Sequence, residues 1–596
     1  MNTVLSFLVS VLGFDSSHPL LFTQSYFWVF FLLVYAGLYF IITRHWRLTV
    51  RNAYLFAASL FFYYKTSGIF VLLLIFSTIM GWRLGIGMDR SISSYRRKTM
   101  MIIGVTVNLL ILGFFKYAYF FTDIFNETFG TDYYIAIKIL LPVGISFYTF
   151  QNISYIVDVY KHKIAHVSNV FDFGFYTSFF PQLVAGPILR ADQFVPQLYK
   201  PFHLSRRQFG LAVFWILNGL VKKIILSDYL AVNFVDRVFD NPLLYTPFEN
   251  FSALMVYSLQ VYADFSGYTD IAIGVALLMG FHLPVNFNSP YKAQNPTDFW
   301  RRWHISLSHW LRDYLYIPLG GNRSSGWLSY GLLTLILAIA TFRLHNLWFT
   351  LTVVIVLLII ALLYWMRPTH RRELGTNVNN MDTMLLGGMW HGSSFNFITW
   401  GGLNGLGILV YKWWSKRPWR TRLITLTAIT AVLWILKFTT HYPLVNMLSF
   451  ISLVCLVGYT IIAFCSRKPA LGIVWNTGLT FVFISFTRLF FRSGSNLDPA
   501  EANEVAWNTA SQMVQQIGSQ WDLAQIPEIV GHYWMVFLLF VFGMVIHWLP
   551  TRFKRRYRIW FAQMPLWELV VAVIATLIIL HHFITADLQP FIYFQF

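Results

Sequence analysis

The chain has 596 residues, 57% hydrophobic and 19% aromatic, with only 12% charged, a balance that excludes an ordinary soluble domain and reads as an integral membrane protein. The formal charge of +19 is gathered in short clusters between apolar runs (Arg44–Arg51, Arg90–Lys98, Lys412–Arg422, Arg552–Arg558), the positive-inside pattern of cytoplasmic loops. Such clusters attract anionic membrane lipid, and they lack the continuous basic face of a protein that binds nucleic acid.

From the start, "MNTVLSFLVSVLGF" has neither a basic n-region nor a small-residue cleavage pattern, so we read it as a short helix at the interface and not as a cleaved signal. Apolar runs long enough to cross about 30 Å of hydrocarbon follow, among them Phe27–Thr43, Met100–Phe115, Leu347–Met366, Leu448–Cys465 and Tyr533–Trp548. They predict an all-α polytopic membrane protein with roughly a dozen or more helical spans, since backbone amides in lipid must be satisfied within their own segment. Cys455 and Cys465 share one run at a spacing that suits neither a metal site nor a disulfide.

The middle of the chain differs from its flanks in carrying polar groups inside or beside apolar runs: Asp158, Gln182, Asn218, Gln260, Asp264, Asp270, His304, His391 and Asn396. Ionisable groups at membrane depth are costly unless they face a cavity or a partner, so the chemistry is expected there. "TDFWRRWHISLSHWLRDYLYIPLGGNR" (Thr297–Arg323) has a 3.6-residue stripe of Trp303, Leu307, Trp310 and Tyr314 opposite Arg301, Ser308 and Arg312. It predicts one amphipathic helix capped by Thr297 and ended by "PLGG", with His304 at the seam between its wet and dry sides. The spacing of five in "HISLSH" does not place two ligands on one face, so no metal is expected. Near the end, Ser493–Gly531 reads as an extramembrane loop with a short amphipathic helix.

Seven segments together resemble the membrane-bound O-acyltransferase (MBOAT) family, in the branch similar to bacterial alginate O-acetyltransferase membrane subunits. They are "LPVGISFYTFQNISYIVDVY", "FFPQLVAGPILRADQFVPQL", "GLVKKIILSDYLA", "YADFSGYTDIAIGVALLMGFHLPVNFNSPY", "FWRRWHISLSHWLRDYLYIPLGGNR", "LLGGMWHG" and the ending "PFIYFQF", in the family's order. The resemblance implies a multi-helical funnel with a thin centre, through which an acyl group passes from a cytosolic thioester to a hydroxyl acceptor. It implies transmembrane helices over residues 1–140, a catalytic core over 141–410 and further transmembrane helices over 411–596, with the loop at about 493–531. It also implies a multi-pass protein of the bacterial cell inner membrane. The family's two histidines map onto His391 and His304. The donor would be acetyl coenzyme A or the thioester of an acyl carrier protein, with no cofactor bound permanently. The acceptor would be a polysaccharide or a periplasmic acetyltransferase partner. One departure stands out: where the family has a short connection, this chain inserts two apolar runs at about 329–366, which form a helical hairpin if both cross.

Read as chemistry, His391 suits a general base, because a neutral imidazole can take the acceptor's proton as it attacks the thioester. Gly387, Gly388 and Gly392 would admit a substrate chain, and Ser394, three residues on, would share a helical face with His391 and orient its ring. His304 either steadies the thioester oxygen, holds the acceptor or bonds a helix carbonyl. Arg301, Arg302, Arg312 and Arg323 match donor phosphates but equally lipid headgroups. Asp264 and Asp270 are an acid and base or, by preference, partners of those arginines. "GGLNGLG" (Gly401–Gly407) follows no strand and reads as a helix-packing surface. By residues alone, a transporter and a non-catalytic acyl-export scaffold remain open beside the enzyme.

Overall fold

In the computed structural model, residues 13–15, 20–133, 135, 139–183, 186–344, 346–464, 469–493 and 502–584 are described, and every regular element among them is helical. The N-terminal part holds α1 (Ser25–Thr43), α2 (Leu48–Ser67), α3 (Val71–Arg90) and α4 (Ser94–Phe129). The central part begins with α5 (Ile145–Tyr160), the short α6 (Val170–Ser178) and α7 (Ala191–Leu198), then α8 (Arg206–Val221) and α9 (Pro247–Leu278). Two fragments, α10 (Pro296–Trp300) and α11 (Ile305–Leu311), lead to α12 (Trp327–Leu344), α13 (Leu347–Met366), α14 (Arg371–His391) and α15 (Phe395–Ser415). The rest comprises α16 (Trp419–Thr440), α17 (Pro443–Phe464), α18 (Pro469–Ser493), α19 (Ala502–Ile517), α20 (Trp534–Trp548), α21 (Thr551–Gln563) and α22 (Leu566–Phe583). The chain's opening residues 1–12, the ending "PFIYFQF" and Cys465 lie outside the described residues.

Nine helices among the described residues are long and apolar enough to cross a membrane, or ten if the bent pair Leu523–His532 and Trp534–Trp548 is one span. Leu48–Arg90 (α2 and α3) counts once there and the shorter apolar Trp327–Phe342 not at all, while the centre holds helices too short to cross. There α6 has 9 residues and α11 has 7, which at 1.5 Å per residue reach far less than a bilayer's thickness. Among the described residues of Ser493–Gly531 lies a helix of the amphipathic kind expected there. This helix, α19, buries Ala506, Ala510, Met513 and Ile517 along one side.

Among the described residues, the most extensive helix–helix contact is the crossing of α8 with α9. Each helix starts from a capping box, Ser205 with Gln208 and Thr246 with Glu249, which satisfies otherwise orphaned N-terminal amides. Gly219, Gly267 and Gly274 make the crossing close: a Cβ on Gly219 would stand 2.5 Å from Gly267 O, and one on Gly274 2.7 Å from Ala212 O. Small residues at such crossings let backbones approach where lipid offers no hydrophobic drive.

The insertion is a helical hairpin of α12 and α13, and α13 buries only Val353 against the protein. Its two ends meet. Asn379 on α14 takes hydrogen bonds from Ser325 Oγ (3.0 Å) and Ser329 Oγ (2.7 Å), and its own amide donates to Gly321 O (3.0 Å) and Ser324 O (2.9 Å). Cysteines introduced singly at Ser325 and Thr376 are therefore expected to react with an impermeant maleimide from the same side of the membrane, the side bearing the basic clusters. Labelling from opposite sides would rule out the hairpin.

Candidate active site

Helix α14 ends at His391 because Gly392 turns to extended backbone (φ −169°). The imidazole is 3% exposed and sits in an aromatic box, with ring centroids 4.8 Å from Trp390, 5.0 Å from Trp400 and 5.2 Å from Phe491. Two of the three neighbouring glycines serve packing. A Cβ on Gly388 would stand 2.3 Å from Phe397 O, and one on Gly392 2.0 Å from the Phe397 ring. Gly401 answers from α15, where a Cβ would stand 2.3 Å from Met384 O, so "GGLNGLG" is the close helix crossing its composition suggests. Gly387 alone of the three borders an adjoining space, although a Cβ there would stand 3.2 Å from Leu311 Cδ1.

That space is a cavity of about 400 Å³ with His391 on its wall, within the range of small-molecule sites. Trp300, Tyr316 and Trp400 line it, and its cations are Arg301, Arg312 and Lys412. Arg312 is oriented by Asp313 (2.7 Å), which Arg190 also holds at 2.7 Å. Lys412 entered the sequence reading only as part of a basic cluster. A finer signal was present in the four-residue stripe Trp400, Asn404, Ile408 and Lys412, which puts a cation on the face of α15 that carries Trp400.

The other candidate residues are placed differently. Arg302 is not a cavity residue: its Nε donates to Asp298 Oδ1 at 2.9 Å and a terminal nitrogen to Asn288 O at 3.4 Å. Arg323 is exposed on the loop before the hairpin and does not line the cavity, whereas its neighbour Asn322 does. Ser394 does not share a helical face with His391. The break at Gly392 puts it at the start of α15, buried and without a capping hydrogen bond.

The amphipathic stretch is not one helix. Its first piece is capped by Asn295, whose side chain accepts from Asp298 N at 2.8 Å, and not by Thr297. The chain then breaks at His304, which has left-handed backbone (φ 43°). His304 is fully buried instead of lying at a wet seam. Its Nδ1 is 3.2 Å from Asn286 Oδ1, which also accepts from Ser306 N (3.1 Å) and Ser306 Oγ (2.9 Å). The ring packs 4.7 Å from Phe265 and 5.9 Å from Trp390, so Trp390 touches both histidines.

Asp264 and Asp270 pair with lysines, not with the arginines. Lys223 lies 2.7 Å from both Asp264 and Asp228. Lys222 lies 2.7 Å from Asp270, to which Asn218 donates at 2.6 Å. The wide π-helical turn Lys222–Asp228 follows α8, so consecutive lysines reach carboxylates on α9. These pairs hold the core together and leave neither acid on the cavity. Sequence reading also passed over Arg488 of α18, buried with its guanidinium 4.1 Å over Trp303. Among the described residues, no three His, Cys, Asp or Glu side chains gather as metal ligands.

Residues 163–382 match the family described as MBOAT, membrane-bound O-acyltransferase, a stretch that stops short of His391. The chain is 38% identical over 402 residues to the probable alginate O-acetylase of Pseudomonas aeruginosa, covering 66% of each protein. Against the Pseudomonas putida protein of the same name it is 36% identical over 66% of this chain and 71% of the relative. The peptidoglycan O-acetyltransferase of Helicobacter pylori is 32% identical over 65% of this chain and 68% of its own. With relatives this similar matched over two thirds of their length, this chain belongs to the membrane-bound O-acyltransferase family.

Proposed function

We propose that the chain is an O-acetyltransferase of the bacterial inner membrane, with His391 as general base. It draws acetyl from a cytosolic thioester, acetyl coenzyme A or an acyl carrier protein, and delivers it to hydroxyls of an exported polysaccharide or to a periplasmic partner. The observation that carries this reading is the cavity itself: one imidazole at its wall, three cations along it, and aromatic rings packed around that imidazole. The names of the Pseudomonas and Helicobacter relatives support acetyl as the group and a glycan as the acceptor.

In this reading Arg301, Arg312 and Lys412 hold the donor's phosphates, since guanidinium forks match phosphate oxygens. The acceptor hydroxyl attacks the thioester carbonyl while His391 takes its proton. The C–O bond forms, the C–S bond breaks, and the departing thiolate receives the proton from the imidazolium. A thiolate leaves readily, so no separate acid is required. His304, fully buried behind Trp390, fixes the break between α10 and α11 through Asn286 and thereby sets where Arg301 and Trp300 stand.

His391→Ala is expected to lower acetyl transfer by about 10²–10⁴-fold while the protein stays folded and inserted, read as acetyl content of the surface glycan and as transfer by purified protein. Near-normal acetylation in that variant would remove His391 from the mechanism and reopen the transport and scaffold readings.

The donor side is tested separately. Exchanging Arg301 and Arg312 together for Gln should raise the donor KM far more than it lowers kcat, because uniform binding is lost. Arg302→Gln, whose partner is Asp298, should leave that KM in place. An unchanged KM in the double variant assigns both arginines to lipid or structure.

A further inference from the structure

The last carbonyls of a helix have no partner within it, and at the end of α14 they lie beside His391, away from bulk water. Gly392 N covers Met389 O from within the chain at 3.2 Å. The remaining donors come from α4, a candidate span. Tyr117 Oη donates to Met389 O at 2.5 Å, and Lys116 Nζ donates to Trp390 O. The same ammonium stands 5.8 Å over the Trp390 ring. Lys116 takes part in none of the ion pairs among the described residues.

An ammonium within a span is costly unless something answers its charge. Here the answer is the negative end of a helix, whose aligned peptide dipoles favour a cation over the last turn. The residue directly after Trp390 is the imidazole. The pair Lys116–Tyr117 therefore grips the two peptide groups that precede His391.

We propose that Lys116 is a positioning residue for His391: with Tyr117 it clamps the last peptide groups of α14 and so fixes where the imidazole stands on the cavity wall. This rests on the reading of His391 as the base. Peptide groups gripped from α4 leave the imidazole little freedom to swing away from the cavity, so loss of the grip lowers how often a bound acceptor meets the base and leaves donor binding in place.

The test is the split between kcat and the donor KM for acetyl transfer by the purified full-length protein in lipid nanodiscs, with acetyl coenzyme A as donor. Lys116→Met removes the donor to Trp390 O and is expected to lower kcat about ten-fold with the donor KM unchanged. Lys116→Arg keeps a donor there, and its kcat should return close to the wild-type value. Tyr117→Phe releases Met389 O and should lower kcat in the same way. An unchanged kcat in Lys116→Met, or an equal loss in Lys116→Arg, overturns the assignment. Wild-type rates in His391→Gln would instead overturn the base itself, whatever the Lys116 variants do.

Discussion

A helix that stops inside an apolar interior leaves carbonyls that water cannot reach, and the centre of this protein is made of helices that stop early. The structure meets that constraint with cations on helix ends. Arg51 donates to Leu198 O (2.7 Å) and Lys200 O (2.9 Å) behind α7. Arg97 reaches Tyr160 O (3.1 Å) at the end of α5. Lys554 reaches His547 O (2.7 Å) in α20, and Lys116 reaches Trp390 O in α14. Each contact satisfies a carbonyl and favours the helix dipole at once. Arg51 and Arg97 belong to the basic clusters that suggest membrane orientation, yet both are buried. Part of the chain's positive charge is therefore internal structure.

The carboxylates obey the same economy in the opposite sense. Asp264, Asp228 and Asp270 are taken up by Lys223 and Lys222 at the crossing of α8 and α9, where glycines have already brought the backbones together. Leaving any of these charges alone at that depth is far more costly than breaking a surface pair, so the five groups act as a staple. With those acids absorbed there, Arg301, Arg312 and Lys412 line the cavity beside His391, and no Asp or Glu is among its lining residues.

The helical class, the apolar spans and the stripe of Trp303, Leu307 and Trp310 were legible in the sequence, and all three side chains are buried. The same stripe concealed the break at His304. A single left-handed residue re-aims the chain without disturbing which residues are apolar, so periodicity runs through it unchanged. Ser394 was misplaced for a related reason, since i, i+3 geometry ends where Gly392 extends the backbone. Arg302 carried a warning in Asp298, four residues earlier, a spacing that favours an intrahelical pair. The lysine partners of Asp264 and Asp270 carried none, because the pairing depends on a π-helical turn that no residue type announces.

The hairpin shows why an insertion near the site can leave the site alone. The chain entering the hairpin is tied to the helix that follows it at a single residue: Asn379, in the first half of α14, bonds Gly321 O, Ser324 O, Ser325 and Ser329. Gly375 presses there too, where a Cβ would stand 2.6 Å from Ser325 Cβ. A shorter connection need only join the same two points, so the position of α14, and of His391 at its far end, is set by Asn379 and not by the length of chain between. With almost all of α13 facing outward, the added helix asks nothing of the protein core; lipid receives it. The constraint that shapes the centre, partners for every buried polar group, is thus also what separates the part of the chain free to vary from the part that is not.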